Sequence, residues 1–131
     1  LHLNKHQRLN LSKRVTMLKK IPEVIAQAKA ALTIVSAEEA VMLAKQKKGL
    51  IIDVREPSEF AEKSAKGAIN IPRGLLEMKM LQMHPQEDLA IFIHCATGAR
   101  AIFSAEQLKR VGYNNVSVIT SSLDDICNAC A

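Results

Sequence analysis

The sequence predicts an α/β domain built on a mainly parallel, five-stranded sheet flanked by helices on both sides. Two observations carry this reading. Short apolar runs rich in β-branched residues recur at residues 33–35, 50–54, 68–71, 89–93 and 115–120, and stretches with apolar residues three and four apart alternate with them. That alternation is the pattern of strands joined by crossover helices. A third observation concerns size. At 131 residues and 48% hydrophobic content the chain supports one domain with a real core, and with aromatics at only 3% aliphatic side chains must fill it.

Residues 1–32 form a basic leading segment followed by an amphipathic helix, and residues 33–131 form the domain. Leu11, Val15, Leu18, Ile21, Ile25, Ala28 and Leu32 share one helical face. Pro22 interrupts the run and suits a first helical position, so one helix spans Pro22 to Ala31 and another precedes it. This surface covers part of the domain; the alternative is a partner-binding arm. Thr33-Ile34-Val35 is a strand. Ser36 stands three residues before Glu39 as a capping box, opening a helix to about Lys47 that Gly49 ends. Leu50 to Val54 is a buried strand with Asp53 and Arg55 at its C-terminal end, and Ser58-Glu59-Phe60-Ala61 starts a short helix with Phe60 inward. Ala68 to Ile71 is a short strand. Gly74 to Met83 reads as a helix with Leu75, Met78 and Leu81 on one face, broadened by Leu76, Met80 and Met83. Such a methionine-rich face belongs to a core or to a docking surface.

The most informative stretch runs from Leu89 to Ala101. Residues 89–93 are a buried strand, and Ile102, Ala105, Leu108 and Val111 mark a helix capped by Gly112. Cys95 opens the loop between them. A loop that enters a helix N-terminus directs backbone N–H groups and the positive end of the helix dipole at whatever occupies the bend. Free cysteines ionise near pH 8.5, and at helix N-termini that value falls to roughly 3.5–7.5. Cys95 is therefore the candidate nucleophile. Gly98 supplies conformational freedom for the loop, and Arg100 a fixed charge to hold the loop or face an anion. A buried, inert cysteine is the alternative.

Three blocks carry a resemblance. Cys95-Ala96-Thr97-Gly98-Ala99-Arg100 resembles the active-site loop of rhodanese-like sulfurtransferases; Asp53-Val54-Arg55-Glu56-Pro57-Ser58-Glu59-Phe60 is similar to that family's Asp-Val-Arg motif, and Gly67-Ala68-Ile69-Asn70-Ile71-Pro72 to a third segment. The resemblance implies the rhodanese topology and a double displacement. Cys95 takes a sulfane sulfur from a small donor, thiosulfate or a persulfide, and passes it to cyanide or a thiol, including a thiol-bearing protein. Residues 96–100 would cradle the sulfur, Asp53 and Arg55 would brace the site through ion pairs, and no metal or organic cofactor is needed. Four residues separate Cys95 from Arg100, where related phosphatase loops have five, which favours sulfur over phosphate. A non-catalytic binding module of the same family is one alternative, and a small cysteine-dependent phosphatase or arsenate reductase is another. The chain departs from the family at Ser64-Ala65-Lys66, where a histidine is expected, and at Ser121, Ser122 and Ile126, where glycines and a tryptophan are common.

Charge and cysteine usage set further limits. Residues 1–20 hold six lysines and arginines and no acid, while 21–131 hold twelve basic and thirteen acidic residues. The excess of +5 thus lies in the leading segment, and without an aromatic-bearing basic patch no nucleic-acid partner is expected. Residues 1–16 read as an inert extension or an organelle-targeting peptide, with Met17 a natural candidate start. No membrane span or secretory signal is recognised. Three cysteines fit a reducing compartment, the cytoplasm, better than a disulfide framework. Cys127 and Cys130, three apart on the last helix, are candidates for a redox or sulfur-accepting role, and two functionless thiols are the alternative. Zinc would need two more ligands.

Overall fold

The computed structural model describes residues 2, 4, 5 and 17–131. Among these, the elements run α1 (Ile21–Ala30), β1 (Thr33–Val35), α2 (Ala37–Lys47), β2 (Leu50–Asp53), α3 (Pro57–Glu62), β3 (Ile69–Asn70), a 3₁₀ turn (Arg73–Leu75), α4 (Leu76–Met83), β4 (Ile91–His94), α5 (Ala99–Val111), β5 (Val116–Ile119) and α6 (Leu123–Cys130). The five strands form one sheet in the order β1-β5-β4-β2-β3, and every pairing is parallel. The fold is α/β with helices on both faces, as the alternation of elements predicts. The helix expected ahead of Pro22 falls largely outside the described residues, and Met17–Lys20 form a turn and irregular chain.

Each strand sends alternate side chains to opposite faces. Ile52, Ile91, Ile93, Val116 and Val118 pack with Ala28 of α1, Leu76 and Met80 of α4, and Ala101, Ile102, Ala105 and Leu108 of α5. On the other face, Phe92 and Ile119 pack with Ala37 and Ala40 of α2 and Ile126 of α6. β4 lies at the centre, and all four of its residues are buried. Truncating one of its isoleucines to alanine would cost about 2–5 kcal/mol, so the strand that leads into Cys95 is firmly anchored in the core.

Three local expectations are corrected. α2 is capped by Ser36, whose Oγ accepts from Glu39 N at 3.1 Å, but it ends on Lys48, at φ 52°, and not on Gly49. Gly49 serves a different purpose: a Cβ there would lie 2.6 Å from Ala90 O, where Leu50 N donates to that same carbonyl to start the β2–β4 pairing. In α4 the core face is Leu76 and Met80, both fully buried, while Leu75, Met78, Leu81 and Met83 are exposed. The chain enters α4 through the tighter 3₁₀ turn, and this shifts the frame so that the i, i+4 pair beginning at Leu76 faces inward. Phe60 is only half-buried, because α3 is a six-residue helix with no buried residue.

Candidate active site

The centre of the site is the C-terminal edge of the sheet, where parallel α/β folds place their ligands. β2 and β4 are paired in register with Asp53 opposite His94. The chain leaving β4 therefore reaches Cys95 beside the segment that leaves β2. Cys95 is buried at 1% exposure. Its Sγ accepts from Gly98 N at 3.0 Å and Ala101 N at 3.4 Å. The bend is possible because Gly98 adopts φ 104°, a conformation that side-chain-bearing residues rarely take. α5 begins at Ala99, two residues earlier than the apolar spacing indicates, so Ala99 and Arg100 form its first turn. Thr97 is exposed at the tip of the loop, and Ala96 and Ala99 are half-buried. Backbone N–H groups converging at a helix N-terminus make a cradle suited to negative charge.

Asp53 and Arg55 form a buried pair at 0% and 3% exposure. Arg55 Nη2 donates to Asp53 Oδ2 at 2.7 Å and to Lys63 O at 2.7 Å, and its Nη1 donates to Glu59 O at 3.3 Å. The pair clamps the middle and the C-terminal end of α3 onto the end of β2. Asn70 adds to the clamp, with Nδ2 donating to Asp53 O at 3.0 Å and Arg55 O at 2.9 Å.

Arg100 meets Glu59 in a two-pronged ion pair, Nη1 to Oε1 at 2.7 Å and Nη2 to Oε2 at 3.1 Å. The hydrogen bond from Arg100, with a further one from the Glu56 backbone, holds the Glu59 carboxyl down to about 2, and Glu59 in turn pushes the Arg100 guanidinium up. His94, fully buried at the end of β4, has Nδ1 3.5 Å from Cys95 O and Nε2 3.8 Å from Asp53 Oδ2. Burial pushes its imidazole below the usual histidine range, against the opposing pull of Asp53.

The loop 95–100 and the Asp53–Arg55 pair thus come together at one edge, as the motifs predict. Glu59 and Asn70 were not singled out from sequence. Their signal lay in the two motif blocks that contain them, but the partner of each is set by the tertiary fold. Of the departures, Ala65 and Ile126 are core residues at 3% and 1% exposure. Ser121 Oγ accepts from Ala37 N at 3.2 Å, and Ser122 Oγ caps α6 by accepting from Asp125 N at 3.2 Å. Cys130 lines a cavity of about 240 Å³ with Gly49, Leu50 and Ile51, at the N-terminal end of β2 and so away from the loop, while Cys127 lies close enough to Lys63 to act on its charge.

The rhodanese-like domain model matches residues 36–129, and the chain belongs to that family. It is 30% identical over 67 residues to a sulfurtransferase of Allochromatium vinosum, a match covering 51% of this chain and 61% of that one. The chain thus spans about three fifths of the length of such relatives. Among solved structures, the single-domain sulfurtransferase RDL2 of Saccharomyces cerevisiae is 27% identical, with a TM-score of 0.59, over 75% of this chain and 90% of that one. A Rhodopseudomonas palustris protein of unknown function, described as a possible tyrosine phosphatase, shares the fold with a TM-score of 0.73 at 23% identity, over 86% and 92% of the two chains. No helix among the described residues is long and apolar enough to cross a membrane.

Proposed function

We propose that the protein is a sulfurtransferase that moves a sulfane sulfur from thiosulfate or a persulfide donor to a thiol or cyanide through a persulfide on Cys95. The observation that supports this best is the pair of N–H groups, Gly98 and Ala101, directed at Cys95 Sγ at the start of α5. In the first step the Cys95 thiolate attacks the outer sulfur of the donor. An Sγ–S bond forms, the donor S–S bond breaks, and sulfite or a thiolate leaves. In the second step an acceptor thiolate or cyanide attacks that outer sulfur and Cys95 leaves as thiolate. The negative charge stays on sulfur throughout, where the backbone cradle is already oriented. Asp53 and Arg55 hold the frame of the site. The loop length, four residues between Cys95 and Arg100, supports sulfur over phosphate as the substrate atom. Three free cysteines suit a reducing compartment, and we place the protein in the cytoplasm.

Intact-protein mass spectrometry tests the reading. After incubation with thiosulfate or cysteine persulfide, the protein gains the mass of one sulfur, cyanide removes it, and Cys95→Ser gains none. No gain from either donor would overturn the proposal and favour a binding module.

A further inference from the structure

Building on the sulfur-transfer reading, we propose that Glu59 is a specificity-determining residue that turns the site toward alkyl persulfides and away from the dianion thiosulfate, by occupying both terminal nitrogens of Arg100.

Arg100 is the sole cation of the loop, since Ala96, Thr97, Gly98 and Ala99 are neutral. Its guanidinium would be the natural counter-charge for thiosulfate, but both of its prongs are spent on Glu59. Glu59 stays ionised at any working pH, because Arg100 holds its carboxyl at about 2. Among the described residues near this edge, three further cations are paired as well. Arg55 is paired with Asp53, Lys63 with Asp124, and Arg73 with Glu77. Glu56, Glu62 and Asp125, all exposed, add carboxylates to the same segments. At physiological ionic strength the Debye length is about 8 Å, so these local groups dominate the potential at Cys95.

A dianion entering such a mouth meets no uncompensated positive charge and loses hydration without an ionic replacement. An alkyl persulfide carries at most one charge on its sulfur pair, and the backbone N–H groups around Cys95 Sγ suffice for it. In that reaction the Cys95 thiolate bonds to the outer sulfur of R–S–SH, the R–S to sulfur bond breaks, RS⁻ leaves, and the proton remains with the transferred sulfur.

The test is a ratio, which a purely structural fault does not move, because a damaged loop slows both donors together. kcat/KM for sulfur loading of the full chain is measured with thiosulfate, with cysteine persulfide, and with a persulfidated cysteine peptide, the last two separating a small donor from a polypeptide-borne one. Wild type is expected to favour the persulfides by about 10-fold or more. Glu59→Gln, which frees the Arg100 charge, and Ala99→Lys, which adds a charge without touching Glu59, are each expected to shift the ratio toward thiosulfate by about 10-fold. Equal use of both donor classes by wild type, or an unchanged ratio in both variants, overturns the inference while the sulfur-transfer reading stands. Loading from none of the three donors overturns the sulfur-transfer reading itself.

Discussion

Cys95 and Cys130 are the same residue at opposite ends of a helix, and the fold treats them in opposite ways. Cys95 precedes the N-terminus of α5 and receives N–H groups at its sulfur. Cys130 is the last residue of α6, where the carbonyl end of the helix disfavours a negative charge. Burial first, and the neighbouring Cys127 second, push its thiol up, with Lys45 opposing. The surroundings differ as well. The Cys95 edge is held by buried polar groups and ion pairs, whereas Cys130 sits by a cavity lined by Val41, Ala44, Leu50 and Ile51 together with Lys45 and Lys66. Direct transfer of sulfur from Cys95 to Cys130 would have to cross from the C-terminal to the N-terminal edge of the sheet, so Cys130 is poorly placed to accept it.

This contrast can be broken most forcefully at the polar edge. Asp53→Asn leaves the buried Arg55 guanidinium facing a neutral amide, and a loss of about 3–5 kcal/mol in urea unfolding is expected; a loss below about 1 kcal/mol would show that the clamp is dispensable. Gly98→Ala comes next. Its Cβ meets nothing closer than Thr120 Cγ2 at 4.0 Å, so the penalty comes from φ 104° and not from crowding. About 1–2 kcal/mol of stability should be lost, with roughly 10-fold slower sulfur loading as the N–H groups turn away from Sγ.

The other thiol environment is tested by removing it. The double variant Cys127→Ser/Cys130→Ser should load sulfur at Cys95 within about twofold of wild type, and in the wild-type protein alkylation of Cys130 should require a higher pH than that of an ordinary thiol. Loading that fails in the double variant would join the two regions into one mechanism.

The smallest effect concerns His94. Because burial favours its neutral ring, the unfolded chain takes up this proton at a higher pH than the folded one does. Its contribution to stability is full above the unperturbed value of 6.5 and is lost as pH falls below it. In His94→Gln, thermal unfolding followed against pH should lack that limb and retain only the carboxylate transition at lower pH.

Much of this was legible in the residues because it is local. Alternating periodicities predicted five strands and their helices, Ser36 and Glu39 announced a helix start, and a cysteine between an apolar run and an amphipathic one announced the loop at Cys95. Position within one element sufficed for each. What tertiary structure alone decided are relations between elements. The frame of α4 turned on a 3₁₀ turn that puts Leu76 and Met80 inward. Gly49 proved to be needed for the approach of Ala90, on a strand far along the chain. Glu59 and Arg100 lie 41 residues apart and meet because the order β1-β5-β4-β2-β3 sets β2 beside β4, and so α3 beside the start of α5. Local pattern decides which face of an element is apolar. Which charges are neutralised at the edge of the sheet depends on strand order, which no single segment encodes.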